Sequence, residues 1–147
     1  MEVGCRHSSL ENSLKQFFKT PANLEQFLCI VERKNNLTLR KLERFITKDA
    51  REHNFMFKKK DGRIFRLYSE YRRQQNAFTK RLFDPFCRYD RVILRGPKFK
   101  DGYESTLGQL NFFRWAIHNE VLSYIIAVTD GKIDPYINEF KFTISFD

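Results

Sequence analysis

Residues 37–67 read LTLRKLERFITKDAREHNFMFKKKDGRIFRL, and two periodicities meet inside this stretch. From Thr38 to about His53, Leu39, Leu42, Phe45 and Ile46 recur at helical spacing, which predicts an amphipathic helix burying those four residues. The opposite side carries Arg40, Arg44, Lys48 and Arg51, spaced by four, four and three, a stripe of one sign along a helix face. Next, Phe55-Met56-Phe57 and Ile64-Phe65 flank Asp61-Gly62. Asp-Gly between two runs of β-formers predicts a hairpin with a type I′ turn, whose two central residues take positive φ. Lys58, Lys59, Lys60 and Arg63 crowd its tip. Four like charges repel one another and are at ease only in water or against a polyanion.

Two further helices are predicted upstream. Ser8 and Glu11 have the spacing of a capping box, and Leu10, Leu14, Phe17 and Phe18 follow as one apolar stripe. Thr20-Pro21 separates this helix from the next, because proline is tolerated at the first helical position. Leu24, Phe27, Leu28 and Val31 form the second stripe, which ends at Asn35-Asn36.

Downstream, residues 67–82 return to a helical pattern, with Tyr68, Tyr71 and Phe78 for packing and Arg72, Arg73, Lys80 and Arg81 exposed; Asp84-Pro85 ends it. Val92-Ile93-Leu94 reads as a short buried strand, and Gly96-Pro97 as the start of a basic loop reaching Gly102. Thr106 and Gln109 make another capping pair, opening a helix to His118 that is apolar nearly all round and therefore central to a core. Asn119 is predicted to cap a last short helix, and Phe140, Phe142, Ile144 and Phe146 alternate as a one-faced strand. The fold class expected is α+β, mostly helical. Three helices plus a winged-helix-like hairpin (8–68) would pack on a part made of helices and short strands (69–147), within one domain.

The composition narrows the function. The chain has 147 residues and a formal net charge of +9. Its aromatic content of 16% excludes a disordered basic tail, which lacks the apolar surface to offset chain entropy. Residues 51–100 hold fifteen Lys and Arg against five Asp and Glu, whereas residues 101–147 hold three against seven. The basic middle suits a polyanion such as a DNA or RNA backbone. The apolar runs are too short for a membrane span, and the first residues have no apolar signal-peptide core. Three scattered cysteines, Cys5, Cys29 and Cys87, favour a reducing compartment.

Candidates for chemistry are weak by comparison. Cys5 and His7 form a close Cys/His pair without the second pair that a structural zinc site needs. Cys87 with His118 could make a thiolate pair only through tertiary folding, and the flanks of Cys87 match no nucleophile motif. Asp84, Asp90 and Asp101 stand among arginines and lysines, which suits ion pairing better than metal ligation. No enzyme activity, cofactor or metal is expected. The rings of Phe17, Phe18, Phe83, Phe86, Phe112, Phe113 and Trp115 could stack on bases, but their spacing favours the core.

The segments FDPFCRYDRV (Phe83 to Val92) and TLGQLNFFRWAIHNEVLSYI (Thr106 to Ile125) resemble a family of small uncharacterised proteins of nucleocytoplasmic large DNA viruses, including iridoviruses and mimivirus relatives. LTLRKLERFITKDAREHN (Leu37 to Asn54) is similar to that family's N-terminal helix. The resemblance implies a viral protein set in the virion or the infected cell's cytoplasm, with other viral proteins as neighbours and no assigned catalytic residues. Two roles are expected. The first is contact with DNA or RNA backbone through Arg40, Arg44, Lys48, Arg51, Lys58, Lys59, Lys60, Arg63, Arg72 and Arg73. The alternative is a minor capsid or virion-assembly protein that bridges others through exposed Phe and complementary charge.

Overall fold

A computed structural model describes residues 2–97 and 99–137. Two helices, α1 (Glu2–Phe18) and α2 (Pro21–Val31), lead to α3 (Leu39–Arg44), which runs through a π turn (Phe45–Asp49) into α4 (Ala50–His53). A hairpin, β1 (Met56–Lys58) and β2 (Ile64–Arg66), feeds α5 (Leu67–Ala77) and a 3₁₀ turn (Lys80–Leu82). A second hairpin, β3 (Arg91–Gly96) and β4 (Phe99–Thr106), precedes α6 (Leu107–His118) and α7 (Val121–Thr129). The protein is therefore α+β and mostly helical, with the predicted order of three helices and a basic hairpin in its first half.

The core forms around α6, whose Leu107, Leu110, Phe112, Phe113, Trp115 and Ala116 are all buried. Helices α1, α2 and α7, the 3₁₀ turn and β4 pack around it. Phe27 meets Phe113 edge-on at 4.9 Å, and Phe83 meets Trp115 edge-on at 5.8 Å, so the rings interlock in the geometry their quadrupoles favour. Of the rings proposed above for stacking, Phe18, Phe83, Phe112, Phe113 and Trp115 are buried and Phe17 packs against them; Phe86 lies outside.

The π turn has a geometric use. At 100° per residue, positions four apart drift by about 40° at each step of an α-helix. A turn closed by an i→i+5 bond, here from the Ala50 N–H to the Phe45 carbonyl, takes up that drift. Leu42, Ile46 and Ala50 thus all stay buried, while Arg40, Arg44, Lys48 and Arg51 all stay exposed.

Several local expectations are corrected. Helix α1 begins at Glu2, so Ser8 and Glu11 are interior to it and do not mark its start. The first hairpin closes through three residues: the Lys59 N–H donates to the Arg63 carbonyl and the Gly62 N–H to the Lys59 carbonyl. Only Gly62 has positive φ there, because a three-residue loop needs one left-handed position where a type I′ turn needs two. Helix α5 stops at Ala77. Strand β3 alternates, with Val92 and Leu94 buried and Ile93 exposed, and the expected basic loop is β4, its antiparallel partner. Asn119 does not cap α7; Glu120 occupies that position at φ 64°, and the Asn119 amide donates back to the Trp115 carbonyl. The alternating segment from Phe140 to Phe146 lies outside the described residues, as does the side chain of Cys5.

Candidate nucleic-acid interface

The cations named from the sequence divide by what they already touch. The side chains of Arg40, Arg44, Lys48 and Arg51 project from α3, the π turn and α4 and make no ion pair among the described residues. Lys58 and Lys60 are likewise exposed. Lys59 is not: its ammonium donates to Asn119 Oδ1 at 3.3 Å and lies 5.7 Å from the centre of the Phe65 ring. The Lys60 N–H donates to Glu120 Oε1 at 3.0 Å, so the hairpin tip is docked on the junction between α6 and α7. The Arg63 N–H donates to Asp61 Oδ1 at 2.9 Å and its guanidinium pairs with Oδ2 at 2.9 Å, and these bonds, the backbone one foremost, hold the Asp61 carboxyl below its usual range. On α5, Arg73 pairs with Glu70 at 3.7 Å and Arg72 donates to Gln75.

Two grooves bring part of this charge together. One, about 530 Å³, lies where the end of α2 (Ile30, Val31, Arg33) faces the start of α3 (Thr38, Leu39, Arg40), with Tyr103 of β4, Gln109 of α6 and Phe86 completing it. Two arginines and no acidic residue are in its lining. The other, about 580 Å³, runs between α3 with its π turn and α5, with Arg72 and Lys80 against Glu43 and Asp84. Phe86 lines both grooves. Acids and bases balance in the lining of the second, so of these two the first has the lining that favours an anion, with the nearby Glu32 carboxylate paired to Lys34.

Arg33 stands at a backbone position that normally belongs to glycine. The Lys34 N–H donates to the Cys29 carbonyl and the Arg33 N–H to the Ile30 carbonyl, the pattern of a Schellman helix end. Arg33 takes the left-handed φ of 57° that this motif requires. A residue with a Cβ is strained there by about 1–2 kcal/mol relative to right-handed conformations.

The loop carrying Phe86 is fixed from both sides. Its N–H donates to Asp84 Oδ1 at 2.9 Å, and the Asp84 N–H donates to the Gly108 carbonyl at 3.2 Å. From α6, Gln109 Nε2 donates to the Pro85 carbonyl at 2.9 Å and Thr106 Oγ1 to the Cys87 carbonyl at 3.0 Å. The predicted cap is real, since Thr106 Oγ1 also accepts the Gln109 N–H, and the Gln109 side chain ties the helix start to the loop, its Oε1 accepting from the Ser105 hydroxyl while its Nε2 donates to Pro85. A Cβ on Gly108 would come within 2.6 Å of the Arg81 carbonyl and 2.8 Å of the Cys87 Cβ, so glycine lets the loop lie directly on α6. Three residues further on, exposed Tyr89 carries the Arg81 guanidinium 4.8 Å from its ring centre, and Arg81 also pairs with Asp90.

A family of unknown function, DUF7197, matches residues 6–141. The chain belongs to this family. The DUF7197 span takes in every residue of both grooves. An uncharacterised protein of Acanthamoeba polyphaga mimivirus is 34% identical over 122 residues, which cover 76% of this chain and 46% of the mimivirus protein. The chain thus spans about half the length of that relative. No solved structure matches it.

Sequence reasoning named Arg40 and Arg72 but missed Arg33 and Lys80, and it favoured the core for Phe86. A signal for Phe86 was present, because Asp84-Pro85 opens a turn and turns run over the surface. Arg33 offered none, since a left-handed helix end without glycine leaves no mark in the sequence. Among the described residues no group of three or more His, Cys, Asp or Glu side chains could hold a metal. No helix there is long and apolar enough to cross a membrane.

Proposed function

We propose that this is a non-catalytic protein of a large DNA virus that binds nucleic-acid backbone through one basic face. The observation that carries the reading is the acid-free groove with Arg33 and Arg40, continued along the helix by exposed Arg44, Lys48 and Arg51. Guanidinium and ammonium groups there would displace the counterions condensed on a phosphate chain, so affinity should fall steeply with salt. The contact surface in this reading is the helix face and the groove; the hairpin tip contributes Lys58 and Lys60, since Lys59 and Arg63 are engaged internally. A salt titration of purified protein against labelled duplex and single-stranded DNA, with heparin as competitor, tests it. Alanine at Arg40, Arg44 and Lys48 should weaken binding to unrelated sequences alike. It should also flatten the slope of log K against log salt by about 0.7–0.9 for each phosphate-binding cation removed. No binding by the wild type near physiological salt overturns the reading.

One observation favours the second role, in virion assembly. Ile133, Tyr136 and Ile137 are exposed together beyond α7, beside a groove of about 460 Å³ floored by Phe57 and Tyr124. That apolar edge suits a protein neighbour. It predicts co-purification with intact particles at fixed stoichiometry and little binding to free nucleic acid.

A further inference from the structure

Phe86 is 47% exposed, although its neighbour in the turn, Pro85, and Phe83 before it are buried. A large apolar side chain left in solvent would ordinarily be one scattered surface residue. Three features set this one apart. Its N–H donates to the Asp84 carboxylate, and the flanking Pro85 and Cys87 carbonyls accept from Gln109 and Thr106 at the start of α6, so the ring is presented without loop ordering at the moment of binding. It stands at the wall of a groove holding Arg33 and Arg40. Arg33, finally, occupies its groove position at the expense of backbone strain, and retained strain of this kind clusters at functional sites.

We propose that Phe86 is a stacking platform for one unpaired base of a single-stranded nucleic acid, whose flanking phosphates lie on Arg33 and Arg40. The inference rests on the nucleic-acid reading above and adds the strand type and the residue that selects it. A base in a duplex has both faces covered by its neighbours, so a ring fixed on a surface loop gains nothing from it. An unpaired base has a free π-face, and every base has one, so the preference is for strand type and not for sequence. The groove's volume of about 530 Å³ falls within the range of small-ligand sites.

The test compares wild type, Phe86→Ala and Phe86→Trp, each checked for folding by circular dichroism, against labelled oligo-dT, oligo-U and a DNA duplex. Wild type should prefer the single strands. Phe86→Ala should weaken single-strand binding about five- to a hundredfold and leave duplex binding within about twofold. Phe86→Trp should keep the affinity, and its emission should be quenched by oligo-dT over a background from Trp115, the only natural tryptophan, which is buried. The oligo-U arm distinguishes RNA from DNA as the strand preferred. Equal single-strand affinity for wild type and Phe86→Ala, or a tryptophan emission at position 86 unmoved by bound oligo-dT, overturns the inference and leaves backbone binding standing. Failure of the wild type to bind any of the three polymers overturns both.

Discussion

Replacing Arg33 by glycine should make the protein more stable and a poorer binder. Arg33 ends α2 in the left-handed conformation at φ 57°, where a Cβ costs about 1–2 kcal/mol and glycine is unstrained. Glycine returns part of this through its greater freedom in the unfolded chain, about 0.5–1 kcal/mol. The net gain is then about 0–1.5 kcal/mol, which for a chain of this size raises Tm by up to about 6 °C. No ion pair among the described residues engages Arg33, so none is forfeited. The same change empties one of the two guanidinium positions in the acid-free groove. The salt dependence of nucleic-acid binding should flatten by about 0.7–0.9 in slope. Arg33→Lys is the control: it keeps the charge and the strain, so Tm should not rise and the salt slope should stay. Scanning calorimetry and fluorescence anisotropy on the same preparations read both quantities. A lower Tm for Arg33→Gly would refute the strain argument, and an unchanged salt slope would remove Arg33 from the interface.

Two further predictions concern the scaffold. Gly108→Ala should destabilise by about 1–3 kcal/mol, the usual cost of overpacking. Its Cβ meets a backbone carbonyl and the Cys87 Cβ, so the loop must move and the single-strand affinity should fall together with the urea midpoint. Alkaline pH should unfold the protein, because burial pushes the phenols of Tyr71 and Tyr124 up to about 12 from an ordinary 10.0. The folded state holds both protons between those values while the unfolded chain releases them, so this contribution is complete below pH 10 and is lost as pH rises towards 12. Phenolate absorbance should therefore rise together with loss of helicity; early titration of all tyrosines in a still-folded protein would refute it. The Tyr124 hydroxyl is buried without a hydrogen-bond partner among the described residues, so Tyr124→Phe should leave Tm unchanged or raise it.

The sequence by itself determined what depends on near neighbours. Pro21 at the start of α2, Thr38 and Thr106 at the starts of α3 and α6, and Asp61-Gly62 at the hairpin all act within a few residues, and each stands where it was read. The apolar surround of α6 announced a central helix, and the basic middle of the chain was plain arithmetic. Strand β4 was hidden because Asp101 and Gly102 are poor strand formers; they fall at the irregularity between the Leu94–Tyr103 and Gly96–Phe99 pairs, where Gly102 takes φ 88°, and only the pairing with β3 on either side carries the strand across them. Tertiary structure alone decided which cations remain available. Lys59 is withdrawn by Asn119, 60 residues away, and Lys58 beside it is left in solvent. It also decided that Phe83 is buried and Phe86 exposed on one short loop. Local signals specify how the backbone runs, because their partners lie within a turn. Whether a charge is spent or a ring is covered depends on what distant elements bring alongside, and that is settled only when the chain packs around α6.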